Sequence, residues 1–349
     1  MLKLTDRQKN ILGIIREIGK AKNQDISKVL KDVSRVTVVR DLGFLLKNNL
    51  IIKKGKGRSV YYEEKTKYKF LEYLDLEDYF QQEADQREVG FKSFNFEIFN
   101  SIKDIFQEQE LKELNILNSE YQSRIQSLSS GVLKKELERL TIELSWKSSR
   151  IEGNTYSLID TEILIKENKE AEGHKKEEAI MILNHKKALD YILSKKSDFK
   201  RLTLGKIESI HRLIVDELDV STGIRNMPVG IIGTQYKPLD NEYQIKEAIE
   251  KMIKTINNME SVFSKAFFAI TVLSYIQPFE DGNKRTARLL GNALLLAYNI
   301  CPLSFRSVNE SDYKKSLVVF FEQNNLRSFK DLFIEQFKFS VGNYFLKRI

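Results

Sequence analysis

The chain has 349 residues, 42% of them apolar and 30% charged, enough for two domains with one sizeable core. No run approaches the roughly eighteen uncharged apolar residues of a membrane span, so no membrane partner is expected. The N-terminus MLKLTDRQKN lacks an apolar signal region, and the single cysteine, Cys301, excludes an internal disulfide or a Cys-based zinc cluster. A reducing, cytoplasmic setting is expected. The net charge of +8 is unevenly placed: residues 1–62 hold fifteen Lys and Arg against five Asp and Glu, and the rest of the chain holds 42 bases and 44 acids. Such asymmetry points to a nucleic-acid-binding appendage on a near-neutral body.

In chain order, LTDRQKNILGIIREIGK predicts an amphipathic helix with Thr5 as N-cap and Gln8 completing a capping box. A short helix follows in NQDISKVLKD. Ser34 can then cap SRVTVVRDLGFLLKNN, with Val36, Val39, Leu42, Leu45 and Leu46 as its buried stripe. LIIKKGKGRSVYYEE reads as a hairpin around Gly55-Lys56-Gly57. Three helices and a basic hairpin over residues 1–66 resemble a winged helix-turn-helix domain. That resemblance implies DNA contact by Arg35, Thr37 and Arg40 on the third helix and by Lys56 and Arg58 on the wing. The same charges also suit a solvated protein-contact module.

Residues 67–145 read as a helical extension, through KYKFLEYLDLEDYFQQEAD, FNFEIFNSIKDIFQEQELKELNILNSEYQSRI and VLKKELERLTIELSWKSS. Helical patterns continue over 146–349, interrupted by MPVGIIGTQYKPLD at 227–240, whose glycines and alternating β-formers predict a short exposed β-hairpin. The expected fold class is therefore mostly α with one small flap.

PFEDGNKRTAR, residues 278–288, separates two strongly apolar helices. A helix starting near Asn283 would aim its first amides at the Gly-Asn loop, where an anion can bind. Arg285 and Arg288 are three apart on that helix start and oppose its dipole unless an anion or a carboxylate neutralises them. Asp281 is a hard oxygen ligand suited to Mg²⁺ on a polyphosphate. The spacing fits a nucleotide triphosphate site, and equally an internally salt-bridged helix junction.

Gln277-Pro-Phe-Glu-Asp-Gly-Asn-Lys-Arg-Thr-Ala-Arg288 resembles the Fic-family signature HPFx[DE]GNGRxxR, and Ser148-Ser-Arg-Ile-Glu152-Gly153 resembles that family's inhibitory pattern [ST]xxxE[GN]. The likeness runs from about residue 94 to the C-terminus. It implies a Fic-type helical core and transfer of AMP from ATP, with Mg²⁺, to a hydroxyl on a target protein of unknown identity; a homodimer is compatible with it. Asp281 would hold Mg²⁺. Gly282, Asn283, Lys284 and Arg285 would form an anion hole, and Arg288 would clamp the γ phosphate. Glu152 would occupy Arg288 when the site is idle, and Ile231, Ile232, Gly233 and Thr234 would belong to a target-docking flap.

Two positions depart from the signature. Lys284 replaces a glycine, and Gln277 replaces the histidine that takes the proton from the incoming hydroxyl. A carboxamide hydrogen-bonds but accepts no proton at a pH compatible with folding. Loss of a general base costs about 10² to 10⁴ in rate, while phosphate binding rests on other residues. His174 is expected to be solvated, and His185 and His211 to be structural. Three readings follow: an adenylyl-transfer scaffold impaired at Gln277, a silent nucleotide-sensing DNA-binding regulator, or a different transfer, such as AMP removal, on the same scaffold.

Overall fold

A computed structural model describes residues 2–66, 68–102 and 105–346. The chain forms two compact units, Met1–Gln82 and Glu83–Ile349.

The first unit holds α1 (Asp6–Ile18), α2 (Asn23–Val29), α3 (Arg35–Lys47), an antiparallel pair β1 (Ile51–Lys54) and β2 (Tyr61–Glu64), and the single turn α4 (Leu76–Tyr79). Thr5 and Gln8 form the expected capping box, and the Thr37 amide donates to Ser34 Oγ at 3.2 Å. The core is built from Ile11, Ile15, Ile26, Val38, Leu42, Leu45 and Ile51. The α3 stripe differs from expectation. Val38 points inward, while Val36 is 80% and Val39 49% exposed. Asp41 fixes that rotation of the helix: it is buried, bonded to Gln8 Nε2 at 3.2 Å and paired with Arg7.

The unit extends to Gln82 because α1 holds the following segment. Arg16 donates to Glu64 at 2.8 Å and to the Tyr73 carbonyl at 3.1 Å, and Lys9 pairs with Asp75 at 2.8 Å and with Asp78. The helix expected over KYKFLEYLDLEDYFQQEAD is reduced to α4, whose Asp75 cap accepts from Glu77 and Asp78 amides.

The second unit contains α5 (Ile98–Ser101), α6 (Glu108–Ser127), α7 (Ser130–Ile151), α8 (Leu158–Glu167), α9 (Lys176–Ser194), α10 (Leu204–Ile214), α11 (Glu242–Asn258), α12 (Val262–Ile276), α13 (Asn283–Ala297), α14 (Glu310–Gln323) and α15 (Arg327–Asn343). At its centre α12 and α13 pack on each other; α11 and α14 flank α12, and α7, α9 and α10 flank α13. Gly291 allows the close approach, since a Cβ there would meet Ile270 Cδ1 at 2.5 Å. The helical stretch expected from FNFEIF to QSRI forms in part, as α5 and the long α6, while residues 94–97 stay out of helix. Their backbone donors go elsewhere, the Asn95 amide to Tyr275 Oη at 3.1 Å, and Phe94 packs on the Tyr275 ring at 4.7 Å between centroids.

The flap also departs from expectation, because residues 227–240 form no hairpin. They make a loop with one isolated parallel bridge, Ser93 to Lys237. The loop's backbone is satisfied by side chains instead of by a facing strand. Arg225 donates to the Met227 and Leu239 carbonyls, and the Gln235 amide donates to Glu322 at 3.1 Å.

Candidate active site

The α12 helix ends at Gln277, whose backbone is left-handed (φ 51°, ψ 59°) and whose side chain donates to the Ser274 carbonyl at 2.6 Å. The turn to α13 is tied by Asn283, whose Oδ1 accepts from the Phe279 amide at 2.9 Å and whose Nδ2 donates to the Phe279 carbonyl at 2.8 Å. Gly282 caps α13 with φ 77°, and a Cβ there would lie 3.1 Å from both Ile214 and Val215. The position therefore needs glycine for conformation and for space.

Two arginines enter the core from this turn. Arg288, 0% exposed, donates from Nε to Ser148 Oγ at 2.7 Å and from Nη2 to the Ser148 carbonyl at 2.9 Å and Glu152 Oε1 at 2.8 Å. Arg285 donates to Asp281 Oδ2 at 2.9 Å. Among the described residues, one terminal nitrogen of each, Nη1, is buried without a hydrogen-bond partner, a donor supply suited to an anion. Glu152 stands at the end of α7, followed by Gly153 at φ 102°. Its second oxygen faces Lys284 Nζ at 3.4 Å. Burial would raise the Glu152 pKa, but the charges of Arg288 and Lys284 outweigh it and hold the carboxyl below its ordinary value.

Gln277, Asp281, Lys284 and Glu152 line one cleft of about 430 Å³, with Ile231 and Ile232 on its flap side. Ile232 is fully exposed, and the Gly233 carbonyl accepts from Arg87 at 2.5 Å. Arg87 is ion-paired to the buried Glu322, which also accepts from Thr234 Oγ1 at 2.7 Å. Among the described residues no cluster of three or more His, Cys, Asp or Glu could hold a metal by itself. A phosphate-bound Mg²⁺ needs one or two carboxylates only, and the 67%-exposed Asp281 meets that requirement.

The remaining candidates belong to the first unit. Arg35 and Arg40 are exposed on α3, Thr37 is half-buried with its hydroxyl 2.9 Å from Ser34 Oγ, and Lys56 is exposed between the strands. The Arg58 side chain lies outside those described.

Four residues in the second unit were not singled out by the sequence for these contacts. His211 is fully buried, stacks on Phe279 with centroids 3.7 Å apart, and places Nε2 3.0 Å from the Asp281 carbonyl, so it supports the motif loop from beneath. Burial first, and Arg285 with it, lower its pKa to about 4 against the opposing bond to Asp281. Arg225 and the Arg87–Glu322 pair carry no periodic signal, because the groups they meet lie far off in the chain: loop carbonyls for the arginines, and for Glu322 the Arg87 guanidinium, the Thr234 hydroxyl and the Gln235 amide. His185 is buried, as a structural histidine would be; His174 is half-buried instead of solvated, 2.8 Å from Thr155 Oγ1 and packed on Tyr156.

Residues 201–295 match the Fic/DOC family. The chain is 28% identical over 211 residues to a protein adenylyltransferase Fic of Nematostella vectensis, covering 57% of this chain and 48% of that protein. It is 30% identical over 206 residues to the Culex quinquefasciatus protein of the same description, covering 56% and 40%. The chain thus spans less than half the length of these relatives. Among solved structures, a Fic-1 fragment from C. elegans aligns with TM-score 0.56 at 20% identity over 67% of this chain and 69% of that one. A Fic domain protein from Bacteroides thetaiotaomicron aligns with TM-score 0.56 at 20% identity over 66% and 95%. No helix among the described residues is long and apolar enough to cross a membrane. Residues 201–295 thus match the Fic/DOC family, within a helical unit whose fold is that of solved Fic proteins and whose sequence is similar to Fic adenylyltransferases.

Proposed function

We propose that this chain is a Fic-type adenylyl-transfer scaffold, held idle by Glu152 and impaired at the chemical step by Gln277. The observation that carries the reading is the buried Arg288 bonded both to Ser148 and to Glu152, a carboxylate that lines the cleft together with Asp281, Asn283 and Lys284. A triphosphate entering that cleft would meet the α13 N-terminus, Lys284, Arg285 and Arg288, and would have to displace Glu152 from Arg288. Asp281 would hold the nucleotide's magnesium, which when bound neutralises charge on the phosphate oxygens. In adenylyl transfer a target hydroxyl oxygen bonds to the α phosphorus, the bond to the bridging oxygen breaks, and pyrophosphate leaves. The hydroxyl proton then needs an acceptor at position 277, which a carboxamide does not provide.

Labelled ATP and Mg²⁺ with the protein as it stands, with Gln277→His, and with Gln277→His plus Glu152→Gly tests the reading. Label should enter protein only in the histidine forms, most in the double variant. Strong labelling by the Gln277 protein would refute the missing-base account.

A second reading concerns the first unit, which we propose contacts duplex DNA. The α3 surface presents Arg35, Val36, Val39 and Arg40 together, two cations beside two exposed β-branched groups, as a major-groove helix would. The 349-residue chain should retard duplex DNA with a steep salt dependence. Absence of a shift at about 50 mM salt would leave the face as a protein-contact surface.

A further inference from the structure

Arg225 lies between α10 and α11, is 6% exposed, and directs its guanidinium at main-chain carbonyls in three places. Nε donates to Gln277 O at 2.7 Å, Nη1 to Met227 O at 2.6 Å, and Nη2 to Leu239 O; its own amide donates to Pro278 O at 3.0 Å. Met227 and Leu239 bracket the flap. Gln277 is the residue at which α12 stops, so its carbonyl lacks a helical donor and its left-handed backbone needs outside support. A planar guanidinium with five fixed donors can span these carbonyls at once, whereas an ammonium on a flexible stem cannot.

The second tether to the same turn is Tyr236, whose hydroxyl donates to the Tyr275 carbonyl at 2.7 Å while the rings stack at 4.5 Å. On the far side, Thr234 and Gln235 are fixed to Glu322. The exposed tip around Ile232 therefore hangs between anchors, and one of them is shared with position 277.

We propose that Arg225 is a positioning residue that locks the flap and the backbone of residue 277 into one frame. Whatever docks along Ile231–Thr234 is then held in fixed register with the side chain at 277. The functional meaning rests on the adenylyl-transfer reading; the mechanical link can be tested apart from it.

Hydrogen exchange on the full chain, compared with Arg225→Lys and Arg225→Gln, reads the link directly. Both variants should exchange about tenfold faster in peptides covering 227–239 and in those covering 276–281, the effect expected of losing charge-assisted bonds, with α15 peptides unchanged. Glutamine retains a donor without the fork, so it serves should the lysine variant fold poorly. ATP affinity by calorimetry should stay within about twofold, because Gly282 to Arg288 are untouched. In the Gln277→His, Glu152→Gly background, Arg225→Lys should lower the rate of AMP labelling about 10- to 100-fold at unchanged KM for ATP, as misregister does.

Loosening of the flap alone, with 276–281 unaffected, would overturn the proposal, as would uniform loosening of the whole unit. Absence of label in the histidine background would instead overturn the adenylyl-transfer reading, and the exchange result would still decide the Arg225 link.

Discussion

Arg288 Nη2 donates to Glu152 Oε1 at 2.8 Å across 136 residues of sequence, joining the second turn of α13 to the end of α7. The arginine is fully buried, so removing the carboxylate strands a desolvated cation. Glu152→Gly should therefore destabilise the nucleotide-free protein by about 3 kcal/mol, as breaking a buried pair does. Saturating Mg-ATP should restore most of that loss, because phosphate replaces the carboxylate and binding to the native state adds stability by mass action. Thermal melts with and without nucleotide check both halves. Equal destabilisation in both conditions would detach the pair from the nucleotide site.

Gly282 gives a test of the loop itself. A methyl group there meets Ile214 and Val215 at 3.1 Å on a backbone with φ 77°. Gly282→Ala should cost about 1 to 3 kcal/mol in chemical denaturation, from strain and overpacking together. It should also weaken ATP binding measured by calorimetry, since the distortion falls at the first amides of α13. A fully stable variant with native affinity would mean that the turn is slack.

How far the sequence discloses this architecture depends on whether a feature is carried by local chemistry. The helix starting at Asn283 and the caps at Thr5 and Ser34 are local, and they appear where the residues place them. The α3 stripe is ambiguous for a physical reason. Val36, Val38 and Val39 are near-consecutive, and both 36-39-42-46 and 38-42-45 satisfy helical spacing; the buried Asp41 decides, through contacts with Arg7 and Gln8 far away in sequence. The flap alternates like a hairpin, yet Arg225 and Glu322 take up its backbone groups, and neither contact has a periodic signature. His211 reads as an amphipathic-helix residue, and its place under Phe279 emerges only when α10 packs on α13.

That histidine predicts a pH dependence. The folded-state pKa of His211 is about 4, below an ordinary 6.5, so between these values the unfolded chain binds a proton that the native state does not. Stability should fall as pH drops from 6.5 toward 4, by about 3 kcal/mol for this residue. His185 acts in the same direction: burial, then Arg288 and Arg285, hold its pKa well below the usual value. Urea midpoints at pH 7 and pH 4.5 should differ less in His211→Gln than in the parent. An unchanged difference would assign the acid sensitivity to other groups.

Gln277→His bears on the chemistry most directly. Position 277 already lines the cleft with Asp281 and Glu152, and the Gln277 carbonyl is held by Arg225 independently of side-chain identity. The substitution should therefore leave the fold and the ATP affinity unchanged within about twofold while raising the transfer rate about 10² to 10⁴-fold, the range assigned to a general base. The Gln277 side chain donates from Nε2 to the Ser274 carbonyl, a bond that an imidazole N–H can replace while its other nitrogen remains free to accept a proton. Rate against pH should then rise through an apparent pKa near that of imidazole, a limb that the Gln277 protein lacks. A histidine variant that binds ATP normally yet transfers no faster would show that the missing base is not what limits this site.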